Sequence, residues 1–180
     1  MNSKIDPRKA TQIAARLIHK SGGSIEYLRM VKLAYLADRK SLLRRGIPIL
    51  GGQYFSMRKG PSISELMDFV KAQNAPGWRE LISPRVGHDL KLKDHPMFDL
   101  LSERELEILD SVVEEHASQT TEELVRWCHE ECPEVERVLP FARKRISIES
   151  ILSKSHVNPD TATKVVSELE SLEKLDALLS

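Results

Sequence analysis

Between Leu28 and Leu43, apolar residues recur at i, i+3 and i+4 as Leu28, Val31, Tyr35 and Leu42, and Leu33 and Leu36 make the middle apolar nearly all round. A helix of this kind belongs in an interior, so the rest of the chain has to cover it. Arg44, Arg45 and Gly46 supply a cationic last turn and a C′ glycine, after which Pro48 and Gly51-Gly52 forbid further helix. Gln53 to Met57 alternates weakly and carries two aromatics, and it reads as a short strand. Gly60-Pro61 then ends that strand. Ser62 with Glu65 three residues later reads as a capping box, opening a helix whose Ile63, Leu66, Phe69 and Val70 share one face. Gly60 is expected to need a backbone angle closed to other residues. Lys32 sits amid Leu28, Val31, Tyr35 and Leu36, where an unpaired ammonium is costly to bury. Either a partner meets it or its stem snorkels to water.

The flanking segments read as supports for this stretch. Asp6-Pro7 is an N-cap with proline at N1, leading Ala10, Ile13, Ala14, Leu17 and Ile18 at helical spacing to Gly22-Gly23. Ser24 is then a candidate cap for the central helix. Trp78 to Ile82 is predicted to form one helical turn, and Val86 to Lys93 alternates with period two, so it is expected to pair with Gln53 to Met57. Ser102 with Glu105 and Thr120 with Glu123 are capping boxes that open two further helices, the second ending near Pro133. A short helix over Val135 to Leu139 is also predicted. Ser147 caps Ile148 to Leu152, and Asn158-Pro159 starts a helix with Val165, Val166, Leu169, Leu172, Leu175 and Leu179 at three- and four-residue steps. This amphipathic helix either packs back on the body or contributes to a groove for a protein partner.

A chain of 180 residues with 41% apolar composition fits one domain, 1–180, and builds a core without staples. No run approaches eighteen apolar residues, and the N-terminus opens with Asn2, Ser3, Lys4 and Asp6, so a cytoplasmic protein with no membrane partner is expected. Cys128 and Cys132, four apart on a predicted helix, are poorly placed for an unstrained disulfide and are expected to be reduced. The formal net charge of zero hides a division. Residues 1–100 carry 18 Lys/Arg and 9 Asp/Glu, and residues 101–180 reverse those counts, which gives +9 against −9. Opposite faces of one domain meeting each other account for this, as does a basic face awaiting an acidic partner.

Chemistry at a site is harder to find. His116, Cys128, His129 and Cys132 are residue types that bind zinc, but the spacing is wrong for common knuckles, and His129 lies about 100° from Cys128 around a helix. Adjacent residues on one helix do not face each other, so Cys128 and His129 make a poor nucleophile and base. Gly60-Pro61 lacks the amide that a phosphate-cradling helix start offers. The last helix carries Asp160, Glu168, Glu170, Glu173 and Asp176 against Lys164 and Lys174, which disfavours reading nucleic acid with it. The residues therefore indicate no catalytic set, no metal and no cofactor.

Lys32-Leu33-Ala34-Tyr35-Leu36-Ala37-Asp38, then Gly51 to Met57, then Lys59-Gly60-Pro61 together resemble the core of the Panacea (SocA-like) antitoxin domain family. The similarity continues through Leu101-Ser102-Glu103 and the segment Glu122 to His129, covering about residues 8–140, with 147–180 expected to pack on it. One position departs: family members tend to have Pro-Trp shortly after the histidine matching His129, whereas here Pro133 is followed by Glu134. The expected fold is mainly α, a single compact domain of about seven helices with a small antiparallel β insertion made from Gln53–Met57 and Val86–Lys93. The resemblance implies a non-enzymatic antitoxin that binds a cognate toxin encoded beside it, the alternatives being a phage-associated regulatory or DNA-binding protein and, third, an enzyme or zinc protein using the Cys128/His129 corner. Lys32, Tyr35, Gly60, Pro61, Ser62 and Glu65 form the structural motif, with Lys32 fixing the Lys59-Gly60-Pro61 corner. Tyr54, Arg58 and Lys59 combine aromatic and basic chemistry on one short segment and are the candidate partner contacts.

Overall fold

In the computed structural model, which describes residues 5–93 and 96–179, the central helix α2 runs from Tyr27 to Arg45. Every residue from Met30 to Asp38 is buried, charged ones included, and Gly46 ends the helix in the left-handed region at φ +72°. Around it pack α1 (Pro7–Lys20), α5 (Glu103–Glu115) and α6 (Thr121–Glu131). The Asp6 carboxylate caps α1 by accepting from Arg8 N at 2.8 Å. Both capping boxes form: Ser102 and Glu105 at α5, Thr120 and Glu123 at α6. A single apolar core extends from Ile5 to Leu169 and includes Leu33, Leu36, Leu66, Leu109 and Leu124. The fold is mainly α with small antiparallel β elements, and eight helices occur among the described residues.

The strands pair differently from the sequence expectation. β1 (Ser24–Glu26) takes the alternating segment as its partner, β4 (Asp89–Lys91), placing Ile25 opposite Leu90 with both buried. β2 (Tyr54–Met57) instead lies at the centre of a second sheet, between β3 (Gly60–Ile63) and β5 (Arg143–Ile146), all antiparallel. The hairpin turns at Arg58-Lys59, so Gly60-Pro61 opens β3 and not a helix. Pro61 is tolerated because β3 is an edge strand, where a missing N–H need not break a ladder. α3 (Ser64–Ala72) starts after Ile63 without a side-chain cap, so Ser62 and Glu65 form no capping box. Ser24 likewise belongs to β1 and α2 begins after Glu26. The segment 135–139 has no regular structure and is not helical, because it must lead from α6 into the edge strand β5.

α4 (Trp78–Leu81) is one turn that buries Trp78. α7 (Ile148–Lys154) is capped by Ser147 and packs on α2, and α8 (Pro159–Leu179) packs on α7. α8 buries Leu169 and sets Val165 over the end of α2, where an added Cβ on Gly46 would meet Val165 Cγ2 at 3.2 Å. Leu172, Leu175 and Leu178 stay exposed. The side chains of Asp176 and Leu179 lie outside the described set.

Gly60 sits at φ +82°, and an added Cβ would find only ordinary contacts, with Lys32 Cε at 3.6 Å and Cys128 Cβ at 3.7 Å. Backbone conformation, and not space, therefore sets the cost of replacing it. Gly60→Ala is expected to destabilise by about 1–2 kcal/mol and Gly60→Val by more. Thermal unfolding of both variants matching the parent would show that the hairpin does not depend on this angle.

Candidate functional site

Four polar side chains on α2 are buried or nearly so, and together they reach the β2–β3 hairpin, the turn after α2, Glu134 and the end of α7. Lys32, Tyr35, Asp38 and Arg39 fall on one side of the helix by its 100° per residue. Lys32 is 1% exposed, and its Nζ donates to the Pro61 carbonyl at 2.6 Å, which ties the β2–β3 hairpin to the helix. Burial pushes its pKa down to about 8, partly opposed by Cys128 and reinforced by Lys59, so it stays largely charged at neutral pH.

Asp38 is 2% exposed and accepts four hydrogen bonds. The amides of Ile49, Leu50 and Gly51 donate at 2.8 to 2.9 Å and Tyr54 Oη donates at 3.0 Å. One carboxylate thereby folds the turn after α2 and seats the first residue of β2. Burial raises its pKa to about 6, while the four donors pull it back. Tyr54 stacks edge-on against Tyr35 with ring centroids 5.7 Å apart, and burial raises both phenols well above their ordinary value.

The third anchor is Glu134, the position where the family pattern departs. Its side chain is fully buried and accepts from Tyr35 Oη at 2.7 Å and from Arg39 Nε at 2.7 Å. Arg39 Nη2 also donates to Ser155 Oγ at 2.9 Å, which attaches the end of α7. Sequence reasoning missed Glu134 as a partner. The usable signal was the need of a buried helix for acceptors.

The other sequence candidates divide by exposure. Tyr54 is 3% exposed with its hydroxyl bound to Asp38, so it supports the fold and is not a surface contact. Arg58 and Lys59 form the exposed tip of the β2–β3 hairpin. Ser62 is buried in β3, and Glu65 turns back to accept from Gln53 N at 3.0 Å beneath Gly52. Cys128 and Cys132 are free and fully buried. Their mutual contact, then the Lys32 ammonium, lowers the Cys128 thiol, and the same contact raises Cys132. His129 contacts the Arg58 carbonyl through Nε2 at 3.4 Å, and His116 is held by Gln119 at 2.9 Å and by the edge of Trp127. Among the described residues, no three His, Cys, Asp or Glu side chains are grouped to hold a metal. The segment that Asp38 folds also walls a cleft of about 520 Å³ with the β5–α7 junction and Leu169 and Leu172 of α8.

The family model described as Antitoxin SocA-like, Panacea domain, matches residues 30–134. The chain belongs to this family. The matched stretch begins on α2 just before Lys32 and ends at Glu134, so the Panacea core encloses all of the tethers from Lys32, Tyr35, Asp38 and Arg39 except the bond to Ser155. No curated protein and no solved structure matches the chain. No described helix is long and apolar enough to cross a membrane.

Asp38 provides the test of this tethering. Replacing it by Asn leaves some of its four donors without an acceptor, which is expected to cost about 2–3 kcal/mol at pH 7. Burial lifts the native carboxyl from its ordinary value of 3.8 to about 6, so between these values the folded state holds a proton that the unfolded state has lost. The contribution is fully present below 3.8 and is lost as pH rises through 6. The stability advantage of the parent over Asp38→Asn should therefore widen as pH falls from 6 to 4, other carboxylates cancelling in the difference. Denaturant unfolding of both proteins across that range checks it, and a constant difference would contradict the raised pKa.

Proposed function

We propose that this Panacea protein is the antitoxin of a toxin–antitoxin pair and neutralises its toxin by direct protein–protein binding, without turnover. Membership of the family over residues 30–134 carries the reading. It is supported by where the motif chemistry goes. Lys32, Tyr35, Asp38 and Glu134 spend their polar atoms on neighbouring segments of the same chain, as a scaffold does. Inhibition by occlusion needs a rigid surface and no reactive group. The last helix exposes Asp160, Glu168 and Glu170, and Lys164 lies 4.0 Å from Glu168, an arrangement that repels a phosphate backbone.

The toxin is expected to be the protein encoded beside this one, acting in the compartment where both are made. Co-expression should restore growth that the neighbour alone arrests, and the two should co-purify at fixed stoichiometry. Cys128→Ser with His129→Ala should keep the rescue, with folding checked by circular dichroism. Rescue lost in that variant while the fold is intact would mean that the buried thiol and imidazole carry chemistry and that the binding account is wrong.

A further inference from the structure

The second half of the chain has a net charge of −9, yet residues 137–145 hold four of its nine Lys/Arg and no Asp or Glu. The fold places this basic run against the other exposed basic turn. β5 pairs with β2 in a register that sets Arg143 opposite Met57, directly beside the hairpin tip Arg58-Lys59. His129, in contact with the Arg58 carbonyl, also feels the positive charge of Arg137. The cations of two distant stretches thus gather at one end of the sheet. Lys144 is partly neutralised, since Glu136 accepts from it at 2.6 Å.

Apolar groups stand among these charges. Arg143 lies over the half-buried Phe55 ring at 4.6 Å from its centroid. The turn leading into β5 exposes Leu139 by 78% and Phe141 completely, and Phe141 adopts φ +67°. A phenylalanine with no packing contact held in the left-handed region has no folding rationale, since glycine or asparagine would suit both its conformation and its exposure. Arginine and an aromatic projecting together are the side chains that dominate binding energy at interfaces.

We propose that this end of the β3–β2–β5 sheet, with Phe141 as an apolar anchor and Arg58, Lys59, Arg137 and Arg143 around it, is the toxin-docking surface and receives an acidic segment of the toxin that also offers an apolar pocket. The inference rests on the antitoxin reading and says where on the molecule that reading operates. Charge complementarity selects the occupant, because four clustered cations at an exposed edge strand favour an anionic chain running beside it. A protein fits better than nucleic acid: the chain has no net positive charge to supply a polyanion with counterion release, and Leu139 and Phe141 need an apolar recess. Residues 137–145 also lie beyond the family match at 134, so part of the surface belongs to this chain and not to the shared domain. Recognition of its own toxin is therefore assigned largely to the Phe141 turn and β5.

The test measures affinity between the purified chain and the protein encoded beside it, at low and moderate salt, for the parent and three variants. Phe141→Gly relieves the left-handed strain, so its melting temperature should equal or exceed that of the parent while affinity falls about tenfold or more. A purely structural role for Phe141 would not separate the two readouts. Arg143→Glu with Lys59→Glu should weaken binding by at least about tenfold and flatten its salt dependence. Arg44→Glu, a charge reversal at the exposed end of α2, is the control and should bind as the parent does. Parent binding with unchanged affinity in Phe141→Gly and in the charge-reversed pair overturns the surface and leaves the antitoxin reading standing. A parent that does not bind the neighbour overturns the antitoxin reading and this inference with it. Tight binding of a duplex DNA probe, lost in the charge-reversed pair, would assign the patch to nucleic acid and overturn the proposal.

Discussion

A helix buried all round through its middle can carry charge there only where other elements bring a partner to it, and in this protein that requirement organises the chain. Lys32, Tyr35, Asp38 and Arg39 occupy one side of α2 and end respectively on the Pro61 carbonyl, on Glu134, on the turn at 49–51 with Tyr54, and on Glu134 with Ser155. Each bond fixes a turn, a short strand or an element end that has little regular structure to hold it in place. Losing one partner of such a pair costs far more than the bond contributes net, because it leaves a desolvated polar group behind. The stripe therefore specifies an arrangement as much as it stabilises one.

What could be read from the sequence follows from how local each signal is. The caps at Asp6, Ser102, Thr120 and Ser147 depend on residues within three positions, and each appears in the structure. The burial of α2 followed from its own composition. Strand partners could not be found this way. Ser24–Glu26 and Gly60–Ile63 are three and four residues long, and Arg143–Lys144–Arg145 shows no alternation, so their pairing emerges only when α2 has placed both ends. Ser62 and Glu65 matched a capping pattern by spacing alone, yet Glu65 finds a better use bonding Gln53 N across the hairpin. Tyr54 resembled a surface anchor because aromatic and basic residues adjoin it. In a strand, alternate residues face opposite ways, so Tyr54 and Ser56 turn inward while Phe55 and Met57 face out.

The division of charge acquires a structural meaning as well. Lys9, Arg16, Lys20 and Lys40 of the basic half meet Glu105, Asp110, Glu114 and Glu115 along α5. Much of the +9 and −9 is thus satisfied across the α1–α5 and α2–α5 contacts, where partly exposed pairs add modest stability and set which faces meet. The cations at the sheet end are set apart from this pairing. Unlike the lysines on α1 and α2, they stand at an edge with Glu136 as a nearby acid, and it is engaged by Lys144 and Lys154.

Frame and surface are connected through backbone. Lys32 holds the carbonyl of Pro61, two residues from Lys59, and Ser56 Oγ accepts the amide of Glu136, one residue before Arg137. The exposed groups are thereby presented on strands whose positions are set by buried bonds, which lowers the ordering cost that binding would otherwise incur. The buried bonds lie chiefly within residues 30–134, whereas Arg137, Phe141 and Arg143 of the exposed patch lie beyond them. A scaffold arranged like this allows the patch to vary without breaking a tether. A substitution at Phe141 or Arg143 changes what the sheet end can hold, whereas one at Lys32 or Glu134 changes whether there is a sheet end to hold it.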